Sequence, residues 1–192
     1  MNNQEAIERL NELFPYIREY QRLATETCNI PDVFQDNGGK LLQLLLITGL
    51  KNLSESREGN DAIDETGIEY ELKSVNISLT KSFSTNHHLN HAILNKYRKA
   101  DWLFAVYVGI ELKDIYVMKP SVLEPYFKQW ENTIDDELKK DSKYKGINNP
   151  KIPLRFVDEN GTCIYHNEGD NPFSFSDITK RMEVRPKDDT LI

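Results

Sequence analysis

Cysteine is scarce in this 192-residue chain. Cys28 and Cys163 are too few and too far apart in sequence to staple a small secreted domain or to complete a zinc site. A reducing, cytoplasmic compartment is expected. Long apolar runs are also missing. The longest, Leu41 to Leu50, is interrupted by Gln43 and Thr48 and is too short to span a bilayer. The polar, acidic start, Met1 to Glu8, lacks the basic and apolar segments of an export signal. A soluble chain with no membrane partner is predicted. Nor is positive charge in excess: 24 Lys and Arg against 31 Asp and Glu give a net charge of −7. That excludes a polybasic coat for a polyanion, so any nucleic acid must be met locally. There is no internal repeat and no low-complexity tract. What remains is a chain of one-domain size whose 39% hydrophobic content is enough for a core.

Ala6, Ile7, Leu10, Leu13, Phe14, Ile17, Leu23 and Ala24 recur at helical spacing, predicting an amphipathic helix bent at Pro15 whose apolar face needs a partner. Leu41 to Ile47 predict a second helix, apolar on most sides, for an interior or a subunit contact. After a polar loop, Lys51 to Asn60, the period turns extended through Asp61 to Ile63 and Ile68 to Ile77, with Glu65-Thr66-Gly67 as the turn. A short helix follows around Ala92 to Tyr97. Trp102 to Val108 predict a strand covered on both faces, and Ile110 to Met118 its neighbour. Ser121 and Glu124 form a candidate capping box for a helix to about Lys140. Leu154 to Val157 and Thr162 to Tyr165 flank Asn160-Gly161, a hairpin signal. Residues from Asn167 to Ile192 read as a tail or surface appendage. The mixture indicates an α/β, or α+β-like, fold.

If Glu65-Thr66-Gly67 is a three-residue hairpin loop, pairing runs Asp64 with Ile68 and, three steps on, Asp61 with Glu71, subject to a one-residue slip at a bulge. Lys73 shares Glu71's face of the strand. Two adjacent carboxylates repel unless a cation sits between them, and oxygen-only ligands suit Mg²⁺. Lys73 would hold and deprotonate a water, or stabilise charge building on phosphorus. The plainer alternative is a solvated strand face with a Lys–Glu pair. Charge is segregated around this spot. Ser54 to Glu71 hold seven acids and one base, Arg57; Leu72 to Lys99 hold no acid but Lys73, Lys81, Lys96, Arg98, Lys99 and three histidines. A second acid-free stretch, Ser142 to Val157, carries Lys143, Lys145, Lys151 and Arg155. Basic stretches beside a metal-binding carboxylate pair are what a phosphodiester substrate requires.

Ser84-Thr85-Asn86-His87-His88 offer the short polar side chains that hydrogen-bond base edges in a major groove. A zinc cluster of His87, His88 and His91 with His166 or Cys163, or a loop cap, are the alternatives. A catalytically silent DNA-binding dimer would keep the same loop while the carboxylates served only in salt bridges.

Phe34-Gln35-Asp36-Asn37-Gly38-Gly39-Lys40, Arg57-Glu58-Gly59-Asn60-Asp61-Ala62, Glu69-Tyr70-Glu71-Leu72-Lys73-Ser74, Phe83-Ser84-Thr85, His87-His88 and Ile147-Asn148-Asn149-Pro150-Lys151-Ile152-Pro153 closely resemble the PvuII-type restriction endonucleases, within the PD-(D/E)XK nuclease superfamily. The likeness runs in order from roughly Leu10 to Tyr165. It implies a restriction-endonuclease-like fold, a mixed central β-sheet flanked by helices with an N-terminal helical dimerisation region. It also implies a homodimeric type II enzyme that uses Mg²⁺ to cut double-stranded DNA centrally at CAGCTG, leaving blunt ends. Asp61 and Glu71 would be metal ligands, with Leu72 a further metal position; Lys73 would be the catalytic lysine, with Glu58 nearby and Tyr97 bordering the site. Ser84, His87, His88 and Asn149 would read base edges from the major groove, Asn86 and Lys81 would also bind DNA, and Asp36 would lie toward the minor groove. Residues 1–166 would be one endonuclease domain: about 1–50 for dimerisation, about 51–118 for the catalytic sheet, about 78–99 and 142–166 for recognition. The cellular partner would be a cognate DNA methyltransferase protecting the same site, with no stable complex. Departures from the family pattern are Asn86 in place of a histidine, a loop between Leu50 and Arg57 longer by one residue, a dissimilar segment from Glu131 to Lys145, and the appendage after His166.

Overall fold

A computed structural model describes residues 3–53 and 60–168, together with 173, 176 and 178. The elements run α1 (Asn3–Cys28), α2 (Gly38–Thr48), β1 (Lys51–Asn52), β2 (Ala62–Ile63), β3 (Glu69–Asn76), β4 (Ser82–Ser84), α3 (His91–Tyr97), β5 (Asp101–Val108), β6 (Glu111–Met118), α4 (Pro120–Lys140), β7 (Lys151–Pro153), α5 (Leu154–Asn160) and β8 (Thr162–His166). No helix among the described residues is long and apolar enough to cross a membrane.

The apolar run expected to be covered on both faces is β5, buried from Asp101 to Tyr107. Its alternation divides the core in two. Leu103, Ala105 and Tyr107 pack with α1, α2, β6 and β8, while Trp102, Phe104 and Val106 pack with α3, α4 and α5. Around it the sheet has the order β1-β2-β3-β5-β6-β8, and β4 pairs with β7 in a separate ribbon. Only β3 and β5 are parallel among these pairings. A mixed sheet between helical layers is the α/β architecture that the resemblance implied, a restriction-endonuclease-like fold.

Several local expectations need correction. Leu154 to Val157 form the start of α5 and not a strand. Leu154 and Val157 have helical spacing, Arg155 bonds Glu159 four residues on, and Gly161 ends the helix rather than turning a hairpin. The capping box is not formed. Pro120 opens α4 at its first position, where its missing N–H costs nothing, and Glu124 instead pairs with Arg98 at 3.1 Å. The polar loop from Lys51 contains the two-residue strand β1, held by backbone pairing to β2. α1 runs through Pro15 as one helix. Part of the expected appendage is packed: the Ser176 N–H donates to the Ile47 carbonyl at 2.7 Å, its hydroxyl to Ile164 O at 2.7 Å, and Ile178 is buried in the core.

The turn between β2 and β3 is built on a carboxylate that sequence spacing did not single out. Asp64 Oδ1 accepts the Thr66 N–H (2.8 Å), the Thr66 hydroxyl (2.7 Å) and the Ile68 N–H (2.9 Å), and Oδ2 accepts the Tyr70 hydroxyl (3.0 Å). Burial opposes its charge, but these donors outweigh burial and hold the carboxyl below its ordinary range. The folded group therefore titrates below the unfolded value of about 3.9. Its contribution is full above that value and is lost as pH falls through the folded one. Asp64→Asn is expected to unfold at lower urea concentration at pH 7, a loss of about 1–3 kcal/mol, with the gap to the native protein shrinking toward pH 3. An equal gap at both pH values would deny the charge this role.

Candidate active site

β3 alternates between the two cores, Tyr70 and Leu72 packing toward α1 and α2 and Val75 toward α3 and α4. Glu71 and Lys73 share the Val75 face by the same alternation. The β2–β3 register, Ala62 opposite Tyr70 and Ile63 opposite Glu69, is the one the turn predicted. Continued plainly, it would put Asp61 opposite Glu71. The Asp61 N–H instead donates to the Tyr70 carbonyl at 3.0 Å, the one-residue slip the spacing allowed. Its Oδ2 then accepts the Leu72 N–H at 2.8 Å, so a β3 amide fixes the carboxylate beside Glu71.

Asp61, Glu71 and Lys73 line a cleft of about 370 Å³ with Asn60, Asn86, Asn90, Ala92, Ile93, Lys96 and Tyr97. Lys73 Nζ is hydrogen-bonded to Glu71 Oε1 and stands 5.8 Å from the Tyr97 ring centre and 6.0 Å from that of Trp102. Burial alone would discharge this ammonium, but Glu71, with Tyr97 and Asp61 behind it, more than reverses that and raises its pKa. Burial pushes the Glu71 carboxyl up; Lys73 counteracts this, and repulsion from Asp61 adds to it. Burial likewise raises the Tyr97 phenol, which therefore stays a hydrogen-bond donor. Its oxygen is buried close to the Glu71 carboxylate and the Asn86 backbone but meets no partner among the described residues with hydrogen-bond geometry. α3, which carries Tyr97, is clasped to α4. Arg98 reaches both Glu124 and Glu131, and His91 meets Asp135 at 2.9 Å. That contact turns His91 toward α4, away from the zinc cluster considered as an alternative.

The recognition candidates converge on a second surface. The β4–β7 ribbon continues into the two loops beyond it. The Thr85 N–H and hydroxyl donate to Pro150 O, Asn149 N–H donates to Asn86 O at 3.2 Å, and Leu89 and Ile147 exchange backbone bonds. Gly146 permits this approach: at φ 117° its Cβ would stand 2.2 Å from the Leu89 carbonyl oxygen. His88 and Asn149 take left-handed backbone conformations. His87 Nδ1 lies 3.0 Å from Asn148 Oδ1, and Ser84 Oγ accepts from Lys151 Nζ. The structure thus brings Ser84, Asn86, His87, His88 and Asn149 together.

It does not bring Lys81 or Asp36 to the same place. Lys81 lies at the foot of the ribbon, where its carbonyl accepts the Leu154 N–H near Arg155 and Asp158. Asp36 lies in the loop before α2, lining a neighbouring cavity with Lys40, Leu72 and Ser74 that shares Asn60, Asp61 and Lys73 with the cleft. Glu58 falls outside the described residues. Among those described, no three His, Cys, Asp or Glu side chains cluster as a ready metal site, leaving the Asp61–Glu71 pair. Sequence reasoning did not assign Asn148 or Lys151 a role at the site; both stand in the quoted Ile147–Pro153 motif, but their partners are more than sixty residues away in the chain.

Compared with known proteins, the chain matches the family model described as restriction endonuclease PvuII over residues 5–165. The match takes in every residue of the cleft and of the ribbon.

The unpartnered Tyr97 oxygen should cost the metal-free protein stability. Tyr97→Phe is expected to leave it as stable as the native protein, or more so by up to about 1 kcal/mol. Tyr97→Ala, which removes a ring packed edge-on at 4.6 Å against Trp102, should cost about 3–5 kcal/mol. Urea unfolding without divalent metal distinguishes them, and a Phe variant as unstable as Ala would assign the hydroxyl a structural partner.

Proposed function

Because the chain belongs to the PvuII family of restriction endonucleases, which are type II site-specific deoxyribonucleases that use divalent metal, we propose that it works as a Mg²⁺-dependent homodimer on a palindromic duplex, CAGCTG, cutting both strands centrally to blunt ends. The observation that carries this reading is the meeting of Asp61, from the start of β2, with Glu71 and Lys73 of β3 in one cleft.

The donors fit a hard cation. Asp61 Oδ2 is held by the Leu72 N–H and Glu71 Oε1 by Lys73, which leaves one oxygen of each carboxylate for a shared ion. Leu72 would add its backbone carbonyl. An all-oxygen set of this kind suits Mg²⁺, which keeps several waters and binds beside phosphate. A cation here would also relieve the repulsion between the carboxylates. When bound, it polarises the phosphate and acidifies the attacking water.

The chain's own groups do the rest. Lys73, held charged between Glu71 and two aromatic rings, stabilises the negative charge that builds on the phosphate oxygens during attack. Tyr97 supplies a buried hydroxyl donor, still without a partner, to a phosphate oxygen. On the ribbon an amide oxygen can only accept, so the Asn148 contact places the His87 proton on Nδ1 and leaves Nε2 of the neutral ring an acceptor. That is the partner an exocyclic amino group in the major groove requires. Asp36, on the far side of Asp61, suits a minor-groove approach.

A palindrome needs two copies related by a twofold axis. α1 supports the pairing with Ile7, Leu10, Leu13, Phe14 and Leu23, an apolar face left exposed among the described residues. Such an enzyme works in the cytoplasm, beside a methyltransferase that protects the same sequence.

Digestion of a mixed-sequence plasmid with Mg²⁺ and sequencing of the ends should return blunt termini within CAGCTG. Asp61→Ala and Glu71→Ala should abolish cutting while the dimer stays folded, and Lys73→Ala should slow single-turnover cleavage by about 10²–10³-fold. Full activity in any of these variants sinks the catalytic assignment. Specific binding without cutting by the native protein would leave a DNA-binding dimer instead.

A separate measurement addresses recognition. In calcium, His87→Ala is expected to weaken CAGCTG duplexes by about 1–3 kcal/mol per half-site, with far smaller losses on unrelated DNA. Asn148→Ala should move specificity in the same direction. Equal losses on both duplexes would make these residues electrostatic or structural.

A further inference from the structure

The cleft has two unlike walls. The strand wall, with Asp61 and Glu71, presents acceptors, and Lys73 on the same wall lies against Glu71. The helix wall is lined by Lys96, Asn90 and Tyr97: Lys96 brings positive charge to it, the buried Tyr97 hydroxyl has no partner among the described residues, and the Asn90 oxygen is already taken by the Ile93 N–H at 3.1 Å, so that side chain offers its NH₂ group. A metal ion complements the first wall. A phosphodiester, whose non-bridging oxygens only accept, complements the second.

We propose that Lys96 is a positioning residue that holds a DNA backbone phosphate against the α3 wall, beside the oxygen donor of Tyr97. Its support is rigid. α3 is fixed at one end by Arg98 to Glu124 and Glu131 and at the other by His91 to Asp135, so the lysine's root stands at a set height above β3. The charge answers a problem the site creates for itself, since two carboxylates repel an incoming phosphate before a cation arrives. Contact with phosphate carries no base information, so Lys96 contributes to affinity and placement for every sequence alike. The inference rests on the cleft being the DNA-hydrolysing site.

The test uses full-length native protein, Lys96→Met and Lys96→Arg, with CAGCTG and unrelated duplexes in calcium over a range of salt. Lys96→Met should weaken both duplexes by a similar factor, about tenfold or more per dimer. It should also reduce the slope of log affinity against log salt by about 1 per subunit. Lys96→Arg should restore both. A scan of duplexes carrying one neutral methylphosphonate should find a position at which the native protein loses as much as Lys96→Met does and the variant loses nothing more. The same substitution should slow single-turnover cleavage in Mg²⁺. Unchanged affinity and salt slope in Lys96→Met, a loss confined to CAGCTG, or losses that add at every methylphosphonate position would each overturn the assignment. Failure of the native protein to bind or cut any duplex would instead overturn the nuclease reading, and this inference with it.

Discussion

Parallel strands cannot be joined by a tight turn, and one parallel pairing, β3 with β5, governs where the cleft and the candidate recognition loop lie. The chain leaving β3 after Asn76 must travel back to the start of β5 at Asp101. That crossover contains β4, the Asn86–His88 loop and α3. It therefore lays the ribbon and the Tyr97 wall over the same face of β3 that carries Glu71 and Lys73. The pairing is secured by β5, whose two buried faces serve both cores. The strand of the cleft and the candidate recognition loop are thus consecutive in sequence because topology makes the loop the strand's return path.

The cleft is an electrostatic compromise. Glu71 is 7% exposed, and burial raises its pKa, an effect that the contact with Lys73 counteracts in part. The lysine in turn keeps its charge because Glu71 is there. Asp61 is drawn in by a backbone amide rather than by a counter-charge. The one-residue slip at Asp61 is what frees the Leu72 amide for that purpose: a carboxylate in plain register would have met Glu71 with no donor fixing it.

How much of this the sequence displays depends on whether the decisive contacts are local. The turn chemistry of Glu65-Thr66-Gly67 sets the β2–β3 register within a few residues, so the convergence of Asp61 with Glu71 is readable. So is β5, because seven buried positions in a row leave an unbroken apolar run. α5 is not legible in the sequence because Asn160-Gly161 has the composition of a hairpin turn, while helical packing of Val157 under β6 decides the outcome. β1 and β4 are too short to show a period, being held by backbone bonds to strands elsewhere. The Asn148–His87 and Lys151–Ser84 contacts join segments sixty residues apart, which no spacing rule links. Ser176 and Ile178 lie in a polar stretch without periodicity, yet two hydrogen bonds and one buried isoleucine tie that stretch to α2 and β8.

Among the described residues, two buried side-chain atoms lack a hydrogen-bond partner, Tyr97 Oη and Asn149 Oδ1. A fold selected for stability alone would satisfy or remove such atoms, since each costs on the order of 1–3 kcal/mol. One stands in the cleft and the other in the ribbon loop. Tyr97 packs its ring into the second core against Trp102 while the residue also lines the cleft. Under the proposed function the donor would serve a phosphate oxygen, and the acceptor stands among the residues proposed to meet base edges. The unpaired groups are complementary to a nucleic-acid backbone and to an amino group of a base, respectively. Under the proposed function, leaving them unpaired makes the DNA-free protein less stable and lets DNA restore the missing bonds. Such a coupling would have a direction: a sequence that cannot supply the amino group would leave Asn149 unsatisfied at the moment its surroundings are dehydrated, and so would be penalised more than the correct sequence is rewarded.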